Sequence, residues 1–566
     1  MEKPKAQEDR TPFLDLICII RYDLDSKQFV LKDVYPPSAE PGYLSTLPSV
    51  CFPEPLAPEP FAPPSRHLCN YKRVLHYSLT TEDGSHAYAS FLHFYEVQLD
   101  KKLLLPTAIC FVSPHPFFIY HRECFSLIHQ KVVLNKLTKT FDFFFVSRQL
   151  PSYSEEDSLE FYISLMASHL WHSSAYESEI VLERRFLKQE ESNALDSSLV
   201  KTQEDDEIRL PLLTYVNSRL YGLSLDVFPA RIALEQIKSN SIVTLVNVLL
   251  LEKKLILIKE DVGDLAIIIE GLLSFIRPFQ WHFTCISYLT RDLIDSVESP
   301  FPYIMGISRE LWSTAFAANI DEISYDQFFL EEVVIFDVDR NIIKMKEDLF
   351  EHIPYNQEQY LIKNLRLILN KHSLNAGVSE SMQSIPQHLT EKPTAGRVAE
   401  EKAAAAGEKK QWLEASLRTK KVFLNFFLMM INNFFAFYKD DVKVESHSRS
   451  TDLFKFKEYL SFFKKDELAF MKKFTSTQAF HYFVEKCAAP DCRSDPHIKF
   501  FRKNVKLLCE ASYKEVTKEQ RKLMEGSFKK ACNPIKYSWD HCLKEYQRAI
   551  IEKHGDRTFN VVQALL

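Results

Sequence analysis

With 566 residues, 46% of them hydrophobic and 13% aromatic, the chain carries enough apolar surface for two to four packed domains, which excludes a largely disordered polymer. A formal net charge of -6 leaves no electrostatic footprint for nucleic acid, so the expected partners are proteins. The 11 cysteines are scattered singly, which argues against a disulfide framework and for a reducing, cytoplasmic setting.

Residues 1–11 are charged and lack an apolar core, so they read as a disordered N-terminus and not as a signal peptide. From Pro12 the pattern turns to strands. LDLICIIRYD and KQFVLKDVYP flank a polar turn as a hairpin, and a connector from Pro36 to Pro64 is too rich in proline for helix or central strand. VLHYSLT and HAYASFLHFYEVQL flank TEDGS, whose Asp83-Gly84 is a hairpin turn signal. AICFVS then reads as a buried strand and Ile119 to Lys136 as a helix, so residues 12–136 form a small α/β unit.

Residues 137–210 are looser. Helical spacing runs to about Phe186, and an acidic, serine-rich stretch at 190–206 reads as an exposed loop.

Residues 211–310 form a central unit, and its densest apolar pattern lies from Ser241 to Gly306. SIVTLVNVLLLEKK has helical spacing, LILIK is a strand buried on both faces, and DLAIIIEGLLSFIR is a helix apolar nearly all round. FTCISYL, a short helix at RDLIDSVE, and PFPYIMGI follow, an alternation that predicts a parallel sheet with crossovers. Within the apolar helix, Glu270, Ser274 and Arg277 share one stripe, so Glu270 is expected to pair with Arg277 or to emerge at the surface.

Residues 311–566 begin with one more strand, in FFLEEVVIFDVDRNII, and become helical. Tyr355 to Lys371 is amphipathic, 375–410 reads as a disordered insert, and helices resume at Gln411. The apolar run Phe423 to Phe437 carries three Asn in fifteen residues, which marks helix core instead of a membrane span. Any membrane association is therefore expected to be peripheral.

Catalytic motifs are missing. No two of the 11 glycines are separated by a single residue, so there is no GxGxxG, and neither GxxxxGK[ST], GxSxG nor HExxH occurs. Cys487, Cys492, His497, Cys532, His541 and Cys542 make a zinc site only on paper, because their spacing fits no standard ribbon or finger. His115 and His121 lie by a two-proline turn and are read as surface histidines. No cofactor is expected.

Several blocks in a fixed order resemble the DENN domain family. They are LPSVCFP, YSLTTEDGSHAYASF and ICFVSPHPFF upstream, LVNVLLLEKKLILI, EGLLSFIRPFQW, YLTRDLIDSVESPFPYIMGI and VVIFDVDRNII in the centre, and FLNFFLMMINNFFAFY and AFMKKFTSTQAFHYFV downstream, with Thr477, Gln478 and Phe480. The resemblance implies a two-lobed α/β module. Its N-terminal lobe would be longin-like, its central lobe would hold a parallel-type sheet, and its C-terminal part would be helical. It also implies a guanine nucleotide exchange factor for a Rab-family small GTPase, or alternatively a non-catalytic scaffold binding a GTPase or a partner DENN protein. Recruitment to endosomal or other vesicle membranes would run through partners. Contacts are expected near Asp292, Asp295, Glu298, Pro300 and Pro302 and on tail helices at Lys472 and Gln478, while Trp281, Pro300 and Gly306 are expected to serve the fold.

Overall fold

The computed structural model describes residues 14–35, 42–80 except 55, 86–129 except 115 and 117, 179–183, 207–211, 227–316, 332–346, 351–371 and 449–488 except 462, with scattered positions between 415 and 437. The N-terminal residues, the 190–206 stretch, the 375–410 segment, His115 and the cysteine and histidine positions beyond 488 lie outside them.

An antiparallel sheet opens the chain. It comprises β1 (Leu16–Asp23), β2 (Gln28–Tyr35), β3 (Glu59–Pro60), β4 (Arg73–Thr80), β5 (His86–Gln98) and β6 (Leu103–Ser113), in the order β2-β1-β6-β5-β4, with β3 also paired to β6. Leu16, Cys18 and Ile20 alternate onto the main core, as a two-residue repeat requires. β6 begins well before AICFVS and tolerates Pro106 because that residue lies between Leu104, paired to β3, and Thr107, paired to β1. The proline-rich connector is more ordered than its composition suggests. It holds the short helix α1 (Leu47–Cys51), where Pro48 occupies the first turn, a position that needs no N–H partner.

Helix α2 (Phe118–Ile128) covers this sheet. His121 is not a surface residue. It is buried, its Nδ1 lies 2.8 Å from Ser90 Oγ, and the same hydroxyl lies 2.8 Å from His76 Nδ1. Farther on, the expected helical spacing gives way to a strand, β7 (Glu179–Glu183), paired antiparallel with β8 (Glu207–Pro211). In EIVLE, Ile180 and Leu182 stand in register with Leu210 and Ile208, and the pairing overrides the longer-range helical pattern.

The central sheet follows two helices, α3 (Val227–Gln236) and α4 (Ser239–Leu250). It contains β9 (Lys254–Lys259), β10 (Thr284–Ile286), β11 (Tyr303–Ser308), β12 (Val333–Asp337) and β13 (Ile342–Lys344), ordered β10-β11-β9-β12-β13. Four strands are parallel and β13 is antiparallel to β12, so the sheet is mixed, and the single strand expected after Gly306 is a hairpin. Helix α5 (Leu265–Phe275) joins β9 to β10, and α6 (Arg309–Ala315) follows β11. Leu255, Leu257, Ile304, Val334 and Phe336 face the main core, while Ile256, Ile258, Tyr303, Met305, Ile307, Val333 and Ile335 face a smaller one closed by Trp312. Both faces are dry, which is why the strands read as continuous apolar runs.

Two glycines set the approach distances. A Cβ on Gly271 would run into the Pro229 carbonyl of α3, and one on Gly306 into the Ser287 carbonyl, so a side chain at either place would push elements apart. Beyond β13 come α7 (Tyr355–Lys371), α8 (Ser450–Leu453), α9 (Phe456–Ser461), α10 (Lys465–Phe474) and α11 (Gln478–Ala488). Phe423, Phe426, Phe427, Met430, Ile431 and Phe434 are buried, in line with a helix-core reading of that run. Among the described residues, no helix is long and apolar enough to cross a membrane.

Candidate functional site

In sheets with parallel strands, ligands usually seat beyond the carboxyl ends of the strands. Here that end is filled by charge. Arg309, directly after β11, makes a two-pronged bond to Asp337 at the end of β12, with both distances 2.8 Å, and reaches Asp339 at 2.9 Å and Glu260 at 3.1 Å. The Arg340 and Glu260 N–H groups donate to Asp337 and Asp339 at 3.0 and 2.7 Å. Burial alone would raise the Asp337 carboxyl, but the bonds from Arg309 and Arg340 outweigh it and hold it below the usual carboxylate range. Every charge has an opposite partner, so this end is a structural lock.

The opposite end is open. The segment leading into β11 contains a 3-10 helix at Arg291–Glu298. Side chains three apart eclipse in a 3-10 helix, so Asp292, Asp295 and Glu298 form one exposed ridge, while Leu293, Ile294 and Val297 turn toward the smaller core. Tyr303 Oη donates to the Val297 carbonyl at 2.9 Å and ties the ridge to β11. Pro300 and Pro302 then bracket Phe301, which is 66% exposed, one of three large hydrophobic side chains so exposed among the described residues. Prolines on both sides restrict the backbone, so the ring is presented with little freedom to withdraw.

Lys472 is exposed on α10 and Gln478 is exposed at the start of α11. Gln478 reaches the central sheet through its backbone. Its N–H and that of Ala479 donate to Glu252 Oε2 and Oε1 at 2.8 and 2.7 Å. Glu252 sits in the turn between α4 and β9 with φ 50, and its carboxylate caps the positive end of α11. Thr477 is buried, donating to the Phe474 carbonyl at 2.7 Å and accepting from Phe480 N–H at 3.3 Å. The Thr-Gln-x-Phe stretch is therefore a helix start with an aromatic anchor. No hydrogen bond or ion pair among the described residues joins Lys472 or Gln478 to the acidic ridge.

Of the residues expected to serve the fold, Trp281 is buried and Gly306 is in close backbone contact, but Pro300 is exposed beside Phe301. Sequence reasoning passed over Phe301, Glu252 and Arg309. For Phe301 the signal was present, as an aromatic between two prolines ahead of a strand; for Glu252 and Arg309 the partners lie 226 and 28 residues away.

Glu270 also departs from expectation. It is buried, its hydrogen bond comes from Ser78 Oγ of β4 at 3.3 Å, and burial raises its carboxyl to about 7 although the nearby Arg277 charge opposes the rise. Cys487 is buried on α11 among apolar side chains, and among the described residues no group of three or more histidine, cysteine or acidic side chains gathers around a metal position.

Residues 104–341 match the family model of the DENN (AEX-3) domain. That span runs from β6 through β12 of the central sheet and takes in the acidic ridge, Phe301 and the Arg309 lock. This part of the chain is therefore similar to the DENN domain family.

Proposed function

We propose that this protein is a guanine nucleotide exchange factor that promotes GDP release from a Rab-family small GTPase in membrane trafficking. The observation that carries this reading is the DENN domain match, since DENN domains are generally associated with Rab exchange. An exchange factor makes and breaks no bond. It binds the GTPase more tightly in the nucleotide-free shape, and by reciprocity the nucleotide then binds the complex more weakly. A thousandfold faster release requires about 4 kcal/mol of preference for the opened state, since each 1.36 kcal/mol is tenfold. A few well-placed contacts supply that.

The contact surface we assign is the ridge of Asp292, Asp295 and Glu298 with Pro300, Phe301 and Pro302, extended by Lys472 and Gln478 on the tail. Phe301 is the natural anchor, because covering one exposed aromatic side chain contributes roughly 2–3 kcal/mol. In this reading the antiparallel sheet with α2 is a longin-like upstream lobe (12–136), the mixed sheet belongs to a second, central lobe (211–310), and the helices of 311–566 form a downstream part. Recruitment to vesicle membranes runs through the GTPase or another partner.

The test is release of fluorescent GDP from a panel of Rab proteins with and without the full chain. Acceleration for one or a few members is the expected result. Tight binding without acceleration would identify a scaffold for a GTPase or a partner DENN protein instead.

A further inference from the structure

Among the described residues, positive charge gathers without an ion pair where β5, the approach to β10 and α11 meet. His86 opens β5, Arg277 follows α5, His282 precedes β10, and Tyr482 and Lys486 lie on α11. The His282 and Tyr482 ring centroids are 4.2 Å apart, and Lys486 Nζ stands 5.1 Å over the same tyrosine ring. Burial first, and then the charges of His86, Arg277 and Lys486, hold His282 below the ordinary imidazole range; burial and Arg277 do the same to His86.

The contrast with the Arg309 lock is instructive. There every cation faces a carboxylate within 4.0 Å, whereas Arg277 and Lys486 make no ion pair with any described residue. The Arg277 charge acts on Glu270, which lies buried against Ser78 and Cys285 and is half protonated near neutral pH, so that carboxyl offsets little of the charge. Two ring nitrogens, His86 Nδ1 and His282 Nε2, are sealed from solvent without a hydrogen-bond partner. Leaving donors or acceptors unfilled in this way is costly, and like charges held together in a half-buried site repel. A guanidinium, an ammonium and two imidazoles with no ion-paired acid among the described residues are the donor set that a multiply charged oxyanion takes.

We propose that Arg277, Lys486, His86 and His282 form a binding site for a phosphate dianion, carried either by a free inositol phosphate or by a phosphoinositide headgroup. The site shares no residue with the GTPase contact surface, so it stands or fails independently of the exchange reading. Bound anion favours the protonated imidazoles, which the free protein holds below the ordinary range, so affinity rises as pH falls toward 6.

The test uses the full chain in phosphate- and sulfate-free buffer, titrated calorimetrically with inositol trisphosphate, alongside cosedimentation with phosphatidylcholine vesicles with and without phosphatidylinositol monophosphate. The expected result is saturable binding of the inositol phosphate, tightening toward pH 6 and weakened about tenfold or more by Arg277→Gln or Lys486→Gln, as for loss of one charged hydrogen bond. Cosedimentation with the phosphoinositide vesicles assigns the lipid as source, and its absence assigns the soluble phosphate. Lys486 is partly exposed, so Lys486→Gln should keep the wild-type unfolding midpoint and decides the matter if Arg277→Gln fails to fold. No binding, or binding that Lys486→Gln leaves unchanged, overturns the site.

Discussion

The central sheet is held on its two sides by different chemistry. Toward the N-terminal sheet apolar packing, with Tyr77 edge-on to Tyr288 at 4.9 Å, is threaded with polar bonds: Arg73 meets Asp261 at 3.3 Å, Arg122 meets Asp264 at 3.1 Å, Ser78 N–H donates to Ser287 Oγ at 2.8 Å, and Tyr288 Oη donates to the Val50 carbonyl at 2.6 Å. Toward the tail it is aromatic, with Phe279 packed against Phe427, Phe474 and Phe483 at 4.8 to 5.2 Å and a second set of rings around Phe434, Phe454 and Phe480. Ion pairs and buried titratable groups depend on protonation, and apolar contacts do not. The first seam should therefore respond to pH and the second to truncation of single rings.

Acidification should separate the two regions most. His93 and His121 are buried in the N-terminal sheet and its covering helix, and burial lowers both to about 3. Because the folded value lies below the unfolded one, stability is complete above about 6.5 and is lost as pH falls, on the order of 5 kcal/mol by pH 4.5 for the pair. Hydrogen exchange should show β4, β5 and β6 losing protection before α10 and α11; loss in the reverse order would break the contrast. In the aromatic seam, Phe279→Ala should cost about 3–5 kcal/mol in denaturant unfolding at any pH between 5 and 8. A cost that changed strongly with pH would show that the seam is not held by rings.

Glu270 sharpens the polar side from the opposite direction. Its folded value of about 7 exceeds its unfolded 4.5, so the proton it holds stabilises the fold at low pH and is lost as pH rises through 7. Glu270→Gln should be more stable than wild type at pH 8 by on the order of 3 kcal/mol, with the difference shrinking toward pH 4.5. Equal stability at both pH values would mean that the carboxyl is not buried. Smaller still is the cap on α11: Glu252→Gln should cost about 1–2 kcal/mol and fray Gln478 and Ala479 first, seen as faster exchange of those two amides. Unchanged exchange there would remove Glu252 as the link between sheet and tail.

Much of this arrangement was legible because it is local. The run from Ser239 to Ser308 has apolar spacing that changes cleanly from helical to strand period, and α7 spans Tyr355–Lys371 as its amphipathic pattern predicted. What escaped depends on distant partners. Glu270 looked like a surface or ion-paired carboxylate because Ser78, 192 residues earlier, is invisible to helix geometry, and His121 looked exposed because Ser90 lies on another strand. EIVLE was absorbed into a helical pattern because five residues are too few to assert their own period against a longer run. In the candidate site the spacing of Asp292, Asp295 and Glu298 is visible in the sequence, whereas Phe301 reads there simply as part of a strand, since exposure is set by how β11 and its lead-in pack.

The most direct measurement is GDP release from a responsive Rab in the presence of wild-type protein and of Phe301→Ala. The ring touches solvent in the free protein, so the variant should keep its unfolding midpoint to within about 0.5 kcal/mol. Wild type should accelerate release, and the variant should lose about tenfold or more of that acceleration, as expected for an interface anchor. If no Rab responds to wild type, or if the variant accelerates release as well as wild type does, the exchange activity or its placement at this end of the central sheet is contradicted.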